Sequence, residues 1–309
     1  MFLFFSCSKD QSIFIPDQTF IINSDILLSK FVSDPTSLIV ELKKGKTTVA
    51  VTDNLIVDIP YESLITTSDE KVVGGEIKVV IKEYADEKYN LLRSPSLIYN
   101  EQFIHSKKMV YINFSQNGQL LKIAKPINVY LKDNGVDILN TSQLLTSQNS
   151  DNSTVWYAEN NANFKIKAGD WVINNEEAII TLRGYKLEVN NNNTWFCIAD
   201  LPIGQSLAQQ QISVPFDDKI NQHNTIAFFI ADESNTVVKL HSGTENQNFY
   251  LKFAALAEHV PGKLVFFSQF DDELYHFGMT NVVLGRDAEV NVTSAPKEIK
   301  EIKAILASL

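Results

Sequence analysis

Apolar and polar residues alternate in short segments along almost the whole chain, and the apolar members are largely β-branched or aromatic. A period of two puts alternate side chains on one face of a strand, so such segments predict half-buried β-strands. In the first half they fall at Thr47–Thr52, Leu55–Ile59, Glu76–Tyr84, Met109–Phe114, Leu120–Ala124 and Ile127–Leu131. Between the third-last and second-last of these lies SQNGQ, whose Asn117-Gly118 suits a two-residue type I′ hairpin, because both central positions need positive φ. Asn outnumbers Gly by more than two to one, so Asn is expected to fill many left-handed turn positions.

The pattern weakens over DNGVDILNTSQLLTSQNSDNST, residues 133–154, a polar stretch that reads as a linker or long loop. Strands resume at Thr154–Tyr157, Asn163–Lys167 and Ala178–Leu182, and a turn-rich VNNNNTW follows. A third array covers Thr194–Ala199, Gln211–Pro215, Thr225–Ala231, Val237–His241, Phe249–Phe253, Lys263–Phe270, Tyr275–Phe277 and Glu289–Thr293. Short strands at this spacing suggest a sandwich. The final TSAPKEIKEIKAILASL reads as a helix capped by Ser294, with Pro296 in its first turn. Ile299, Ile302, Leu306 and Leu309 recur on one face, which is expected to pack on the preceding sandwich.

The fold class is therefore mainly β: two antiparallel β-sandwich domains, a connecting region and a short C-terminal α-helix. The expected division is a tether over 1–19, a first sandwich over 20–135, a partly β connecting region over 136–189, and a second sandwich with its helix over 190–309. A length of 309 residues agrees, since one hydrophobic core seldom grows that large. The formal net charge of -10, with no basic stripe, argues against a nucleic-acid partner, which needs clustered Lys and Arg on phosphates. No apolar run approaches the roughly 20 residues that cross a bilayer as a helix.

Two cysteines differ in kind. Cys197 lies in the strand-like TWFCIADL and is expected to pack as a small hydrophobe. Cys7 follows Phe2-Leu3-Phe4-Phe5-Ser6, an apolar run with a small residue directly before the thiol. This resembles the lipobox that ends a bacterial lipoprotein signal peptide, so Cys7 is the expected lipidation site. With only six residues ahead of it, the reading implies a longer leader upstream. Ser8-Lys9-Asp10-Gln11 resembles the polar tether of Bacteroidetes surface lipoproteins.

The run TTVAVTDNLIVDIPYESLITTSDEKVVGGEIKVVIKEYADEKYNLL carries a further resemblance: a strand, Ile59-Pro60, a small loop, Gly74-Gly75, then a long alternating strand ending in Lys-Glu-Tyr. It is similar to the ZU domain of zonula-occludens proteins, ankyrins and netrin receptors, in the divergent form of Bacteroidetes surface lipoproteins. SPSLIYNEQFIHSKKMVYINFSQNGQLLKIAKPINVYL follows as it does in those proteins, and the C-terminal half resembles their second domain. The resemblance implies β-sandwiches and an outer-membrane or cell-surface place, held through a lipid anchor. It implies no reaction and no cofactor.

Candidate chemistry is sparse. Some animal ZU-type proteins cut themselves at His-Phe-Ser, and this chain has Asn113-Phe114-Ser115, with His105 as a conceivable base for cleavage at Phe114-Ser115. Asp271-Asp272-Glu273, with His276 beyond, supplies carboxylates that suit calcium, although a charged hairpin turn explains them as well. Trp156, Trp171 and Trp195 would make a sugar-stacking surface if exposed. No hydrolase elbow, zinc-protease motif or phosphate loop is present. The expected function is that of a non-catalytic, lipid-anchored envelope protein for adhesion, ligand binding or surface assembly, with a protein or glycan ligand. The alternatives are a carbohydrate-binding module and a self-processing protein.

Overall fold

The computed structural model describes residues 24–84, 88–136, 142–150, 153–158, 166–174, 179–190, 194–200, 209–215, 223–242, 248–254, 259–270, 275–287 and 289–309. A short helix α1 (Ser24–Ser29) leads into β1 (Thr36–Leu42), β2 (Lys46–Thr52), β3 (Leu55–Pro60), β4 (Leu64–Thr66) and β5 (Gly75–Glu83). A 3-10 turn (Lys88–Arg93) and a small hairpin of β6 (Ile98–Tyr99) and β7 (Gln102–Phe103) precede β8 (His105–Gln116), β9 (Gln119–Ile123) and β10 (Ile127–Lys132). Next come β11 (Gln143–Ser150), β12 (Ser153–Ala158), β13 (Ile166–Asn174), β14 (Ile179–Val189) and β15 (Trp195–Asp200). The remainder holds β16 (Gln209–Pro215), β17 (Thr225–Ala231), β18 (Val237–Lys239), β19 (His241–Ser242), β20 (Asn248–Ala254), β21 (Val260–Gln269), β22 (Tyr275–Leu284), β23 (Ser294–Pro296) and α2 (Ile299–Ala307).

Sheet A runs β1-β5-β8-β15-β11-β12, with β9 and β4 attached beside β8, and sheet B runs β13-β14-β10-β3-β2. Alternation in each strand sends Leu55, Val57 and Ile59 of β3 and Val129 and Leu131 of β10 against Ile77, Val79 and Ile81 of β5 and Val110, Ile112 and Phe114 of β8. That shared core makes the first sandwich. Sheets C (β16-β20-β19) and D (β18-β17-β21-β22-β23) face each other across Ile212, Leu251, Phe253, Phe229, Phe266 and Leu284, which makes the second.

The backs of sheets A and D meet as well. Met109, Trp195 and Cys197 of sheet A share one cluster with Phe228, Val265, Phe267 and Phe277 of sheet D; Leu27, Leu28 and Phe31 at the N-terminal end and Ile302 and Leu306 of α2 complete it. The order of layers is thus B, A, seam, D, C. Strands beside the seam are apolar on both faces, which is why all seven residues of β17 are buried.

Several expectations are corrected. The stretch 133–154 is not a loop throughout: β11 inserts between β15 and β12, because its Leu144 serves the first core while Leu145 serves the seam. Within 136–189 the described strands β11–β14 pair into sheets A and B. Trp195–Asp200 pairs with β8 and so belongs to the first sandwich rather than to a unit beginning at 190. Glu289–Thr293 forms only an isolated bridge, Ser213 to Glu289, and the last strand is β23. Ser294 therefore pairs with Gly278 instead of capping a helix. Glu298 is the N-cap of α2, and the Glu301 carboxylate reaches back to its N–H at 3.0 Å. The apolar face is as expected, with Ile302 and Leu306 buried and Ile299 and Leu309 packed beside them. Asn117 and Gly118, at φ 51° and 78°, make the expected two-residue hairpin.

Candidate functional site

The outer face of sheet B carries an unusual acid. In LIVDIP every residue but Pro60 is buried, and Asp58 points away from the sandwich core with its side chain only 5% exposed. Strand register builds a line of polar side chains around it: Thr48, Asp58, Asn128 and Glu188 stand opposite one another across β2, β3, β10 and β14. The adjacent line is Ala50, Ile56, Tyr130, Lys186 and Lys167.

A buried carboxylate needs partners, and Asp58 has three. Lys46 Nζ lies 3.0 Å from Oδ2, Thr48 Oγ1 donates to Oδ1 at 2.6 Å, and the Tyr130 hydroxyl donates to Oδ2 at 3.5 Å. Burial, with the Asp58 charge second, pushes Tyr130 up to about 12, so it remains a donor at neutral pH. Lys186 Nζ stands 3.5 Å from Glu188 Oε1 and about 6 Å from both the Tyr130 and Trp171 ring centres.

The β13–β14 hairpin roofs one end of this surface. Gly184 and Gly169 face each other in it, and Gly184 lies against the Leu131 carbonyl, an approach no Cβ would permit. Beyond that point Ile173 and Leu182 cluster with Ile56 and Tyr130, with Trp171 and Ile180 alongside. The Trp171 N–H donates to the Gly184 carbonyl at 3.3 Å, and its ring lies 6.1 Å from that of Tyr130. Carboxylates, an amide, a hydroxyl and ammonium groups beside an indole form a surface for hydrogen bonding and stacking. Among the described residues no three His, Cys, Asp or Glu groups gather as metal ligands.

The residues singled out from sequence separate. Trp156 is buried in the seam and donates to the Ser96 carbonyl at 2.7 Å, and Trp195 packs 5.0 Å from both Tyr84 and Tyr111. Of the three tryptophans, only Trp171 stands at the surface described above. Phe114 is core, and Asn113 and Ser115 sit in regular register with Val80 and Lys78. His105 begins the same strand, ten residues or about 33 Å from Ser115, so it cannot act on that hydroxyl. His276 packs 4.5 Å from the Phe270 ring. Asp271, Asp272 and Glu273 lie outside the described residues, as does Cys7.

Cys197 is fully buried, with its thiol 3.4 Å from Ser106 Oγ, and burial pushes it up to about 12. In a Cys7→Ser background at pH 8, a thiol reagent is expected to label the folded chain at least about a hundredfold more slowly than the urea-unfolded chain, because the thiolate is the reactive form. Equal rates would show that Cys197 is accessible.

The polar line escaped the sequence reading because its members come from four separate segments. The one local signal was an acid inside the apolar LIVDIP. Compared with protein-family models, curated proteins and solved structures, the chain matches none.

Proposed function

We propose that the chain is a non-catalytic, lipid-anchored protein of the cell envelope that captures a hydroxyl-rich ligand on the outer face of sheet B. The observation carrying the ligand reading is the line of Thr48, Asn128 and Glu188 beside Lys186 and Trp171, with the buried Asp58 holding Thr48 and Tyr130 in place, mounted on a sheet whose other face is close-packed. Sugar hydroxyls both donate and accept, so alternating carboxylate, amide and ammonium groups satisfy them, while an indole covers an apolar sugar face. Resemblance to ZU-bearing surface lipoproteins and the leader-like run before Cys7 support the anchor. Each buried CH₂ contributes about 0.8 kcal/mol to membrane binding, so permanent anchoring takes the several chains of a bacterial lipoprotein.

Two assays test the parts separately. Expressed from its full upstream reading frame, the protein is expected to take up labelled fatty acid and to be shaved from intact cells by added protease, and Cys7→Ser is expected to abolish labelling; a soluble, unlabelled product would refute the anchor. On a glycan array, binding is expected to fall at least about tenfold in Asn128→Ala and Glu188→Gln, the size of a lost hydrogen bond to a charged or buried partner. Binding that survives both changes, or no glycan bound at all, would refute the ligand reading.

A further inference from the structure

The first sandwich is open along one side. There β1 ends sheet A and β2 ends sheet B, and among the described residues each pairs with a single neighbour. Val40, Leu42, Val49 and Val51 line this rim, packed on the core yet only partly buried. The two edges are not equally guarded. β2 is interrupted by a register shift between Ala50 and Thr52, a common way of blunting an edge. By contrast, β1 runs in unbroken register with β5 from Thr36 to Leu42, contains no Pro, Lys or bulge, and leaves Ile39 66% exposed. A straight apolar edge of this kind is a template for another strand.

We infer that the strand it takes is β1 of a second copy, antiparallel, about a two-fold axis through Ile39. The segment is self-complementary in that register. Leu38 falls opposite Val40 and Thr36 opposite Leu42 on the core side, while Ile39 meets its own copy and Ser37 meets Glu41 on the outer side. Just beyond the strand, Asp34, 73% exposed beside its Arg93 partner, falls opposite the exposed Lys44. A parallel, in-register pairing would instead set Glu41 against Glu41 and Lys44 against Lys44, so charge selects the antiparallel arrangement. The two sheets A become one continuous sheet, and both open rims close. This interface lies on the far edge from β13, away from Asn128 and Glu188, so variants at those two residues and at Ile39 test the ligand and the dimer separately.

Seven residue pairs make a small interface beside the about 1,200–2,000 Å² of a stable one, so the dimer is expected to form in the micromolar range. The test is sedimentation velocity on the full chain carrying Cys7→Ser, over about 1–100 µM. A reversible dimer is expected, weakened at least tenfold by Ile39→Lys, which sets two like charges face to face across the axis; because Lys78 of β5 stands opposite Ile39 within the chain, the same change is expected to lower thermal stability only slightly. Ile39→Cys is expected to give a disulfide-linked dimer under mild oxidation, whereas Val172→Cys, equally exposed on the β13–β14 hairpin, is not. A chain that stays monomeric throughout, a dimer indifferent to Ile39→Lys, or cross-linking equal at both positions would overturn the inference.

Discussion

A chain carrying Phe103→Ala is expected to lose about 3–5 kcal/mol of stability and to unfold in two steps instead of one. Phe103 belongs by sequence to the first half, in the β6–β7 hairpin between β5 and β8. Its ring nevertheless enters the core of the second sandwich, 5.8 Å from Phe229 and 5.6 Å from Phe253. Hydrogen bonds hold the same segment to β18 and the residue before it: the Leu97 N–H donates to the Val237 carbonyl at 2.9 Å, and Thr236 Oγ1 donates to the Ile104 carbonyl at 2.8 Å. Truncating the ring leaves a cavity in the second core and weakens the apolar tie to the first. All three tryptophans lie on strands of the first sandwich, Trp156 and Trp195 on its seam side, so urea unfolding followed by fluorescence reports that half and the seam, while far-UV circular dichroism reports both sandwiches. The two probes are expected to coincide for the parent chain and to separate for the variant. Coincident curves with a loss under about 1 kcal/mol would mean that the hairpin merely rests on the second sandwich.

Gly184→Ala is expected to cost about 3 kcal/mol. A Cβ there would stand 2.0 Å from the Leu131 carbonyl oxygen and 2.7 Å from the Asp133 nitrogen, and φ is +155°, where side-chain-bearing residues are strained. Both obstacles are backbone, which cannot swing aside as a side chain would. Relief requires β14 to part from the end of β10, and with it the hairpin that sets Trp171 over Tyr130. Gly169→Ala is the matched control: its Cβ would meet nothing nearer than the Trp171 ring at 3.6 Å, an ordinary contact. A lower denaturation midpoint and red-shifted tryptophan emission are expected for the first variant and neither for the second. Equal tolerance of both would show that close approach of β14 to β10 does not hold the roof in place.

Strand periodicity made much of the architecture legible. Thr225–Ala231 was placed to the residue, and Asn117-Gly118 fixed a hairpin by itself, because positive φ at both positions is a local demand. What was not legible depended on neighbours far away in sequence. β11 is written QLLTSQNS, and nothing local marks it as a strand; it is one because β15 and β12 flank it. Strands on both sides of 136 and 190 share sheets A and B for the same reason, since a change of composition marks a polar surface as readily as a linker. The candidate site was the least legible. Thr48, Asp58, Asn128 and Glu188 become neighbours only through register, and one residue of slip in any strand would turn its member inward.

The placement of α1 bears on how the molecule carries load. Leu27, Leu28, Phe31 and Val32 are wedged into the seam, with Phe31 5.2 Å from Phe267 of β21 and Lys30 hydrogen-bonded to the Tyr275 hydroxyl of β22. The chain enters this wedge from its N-terminal side. Tension applied there is therefore delivered neither to a sheet edge nor to a loop, but to the mortar between the two sandwiches. Traction would draw on the packing that joins them before it reaches the ladders of either, making the seam a mechanical fuse under any force applied from that side.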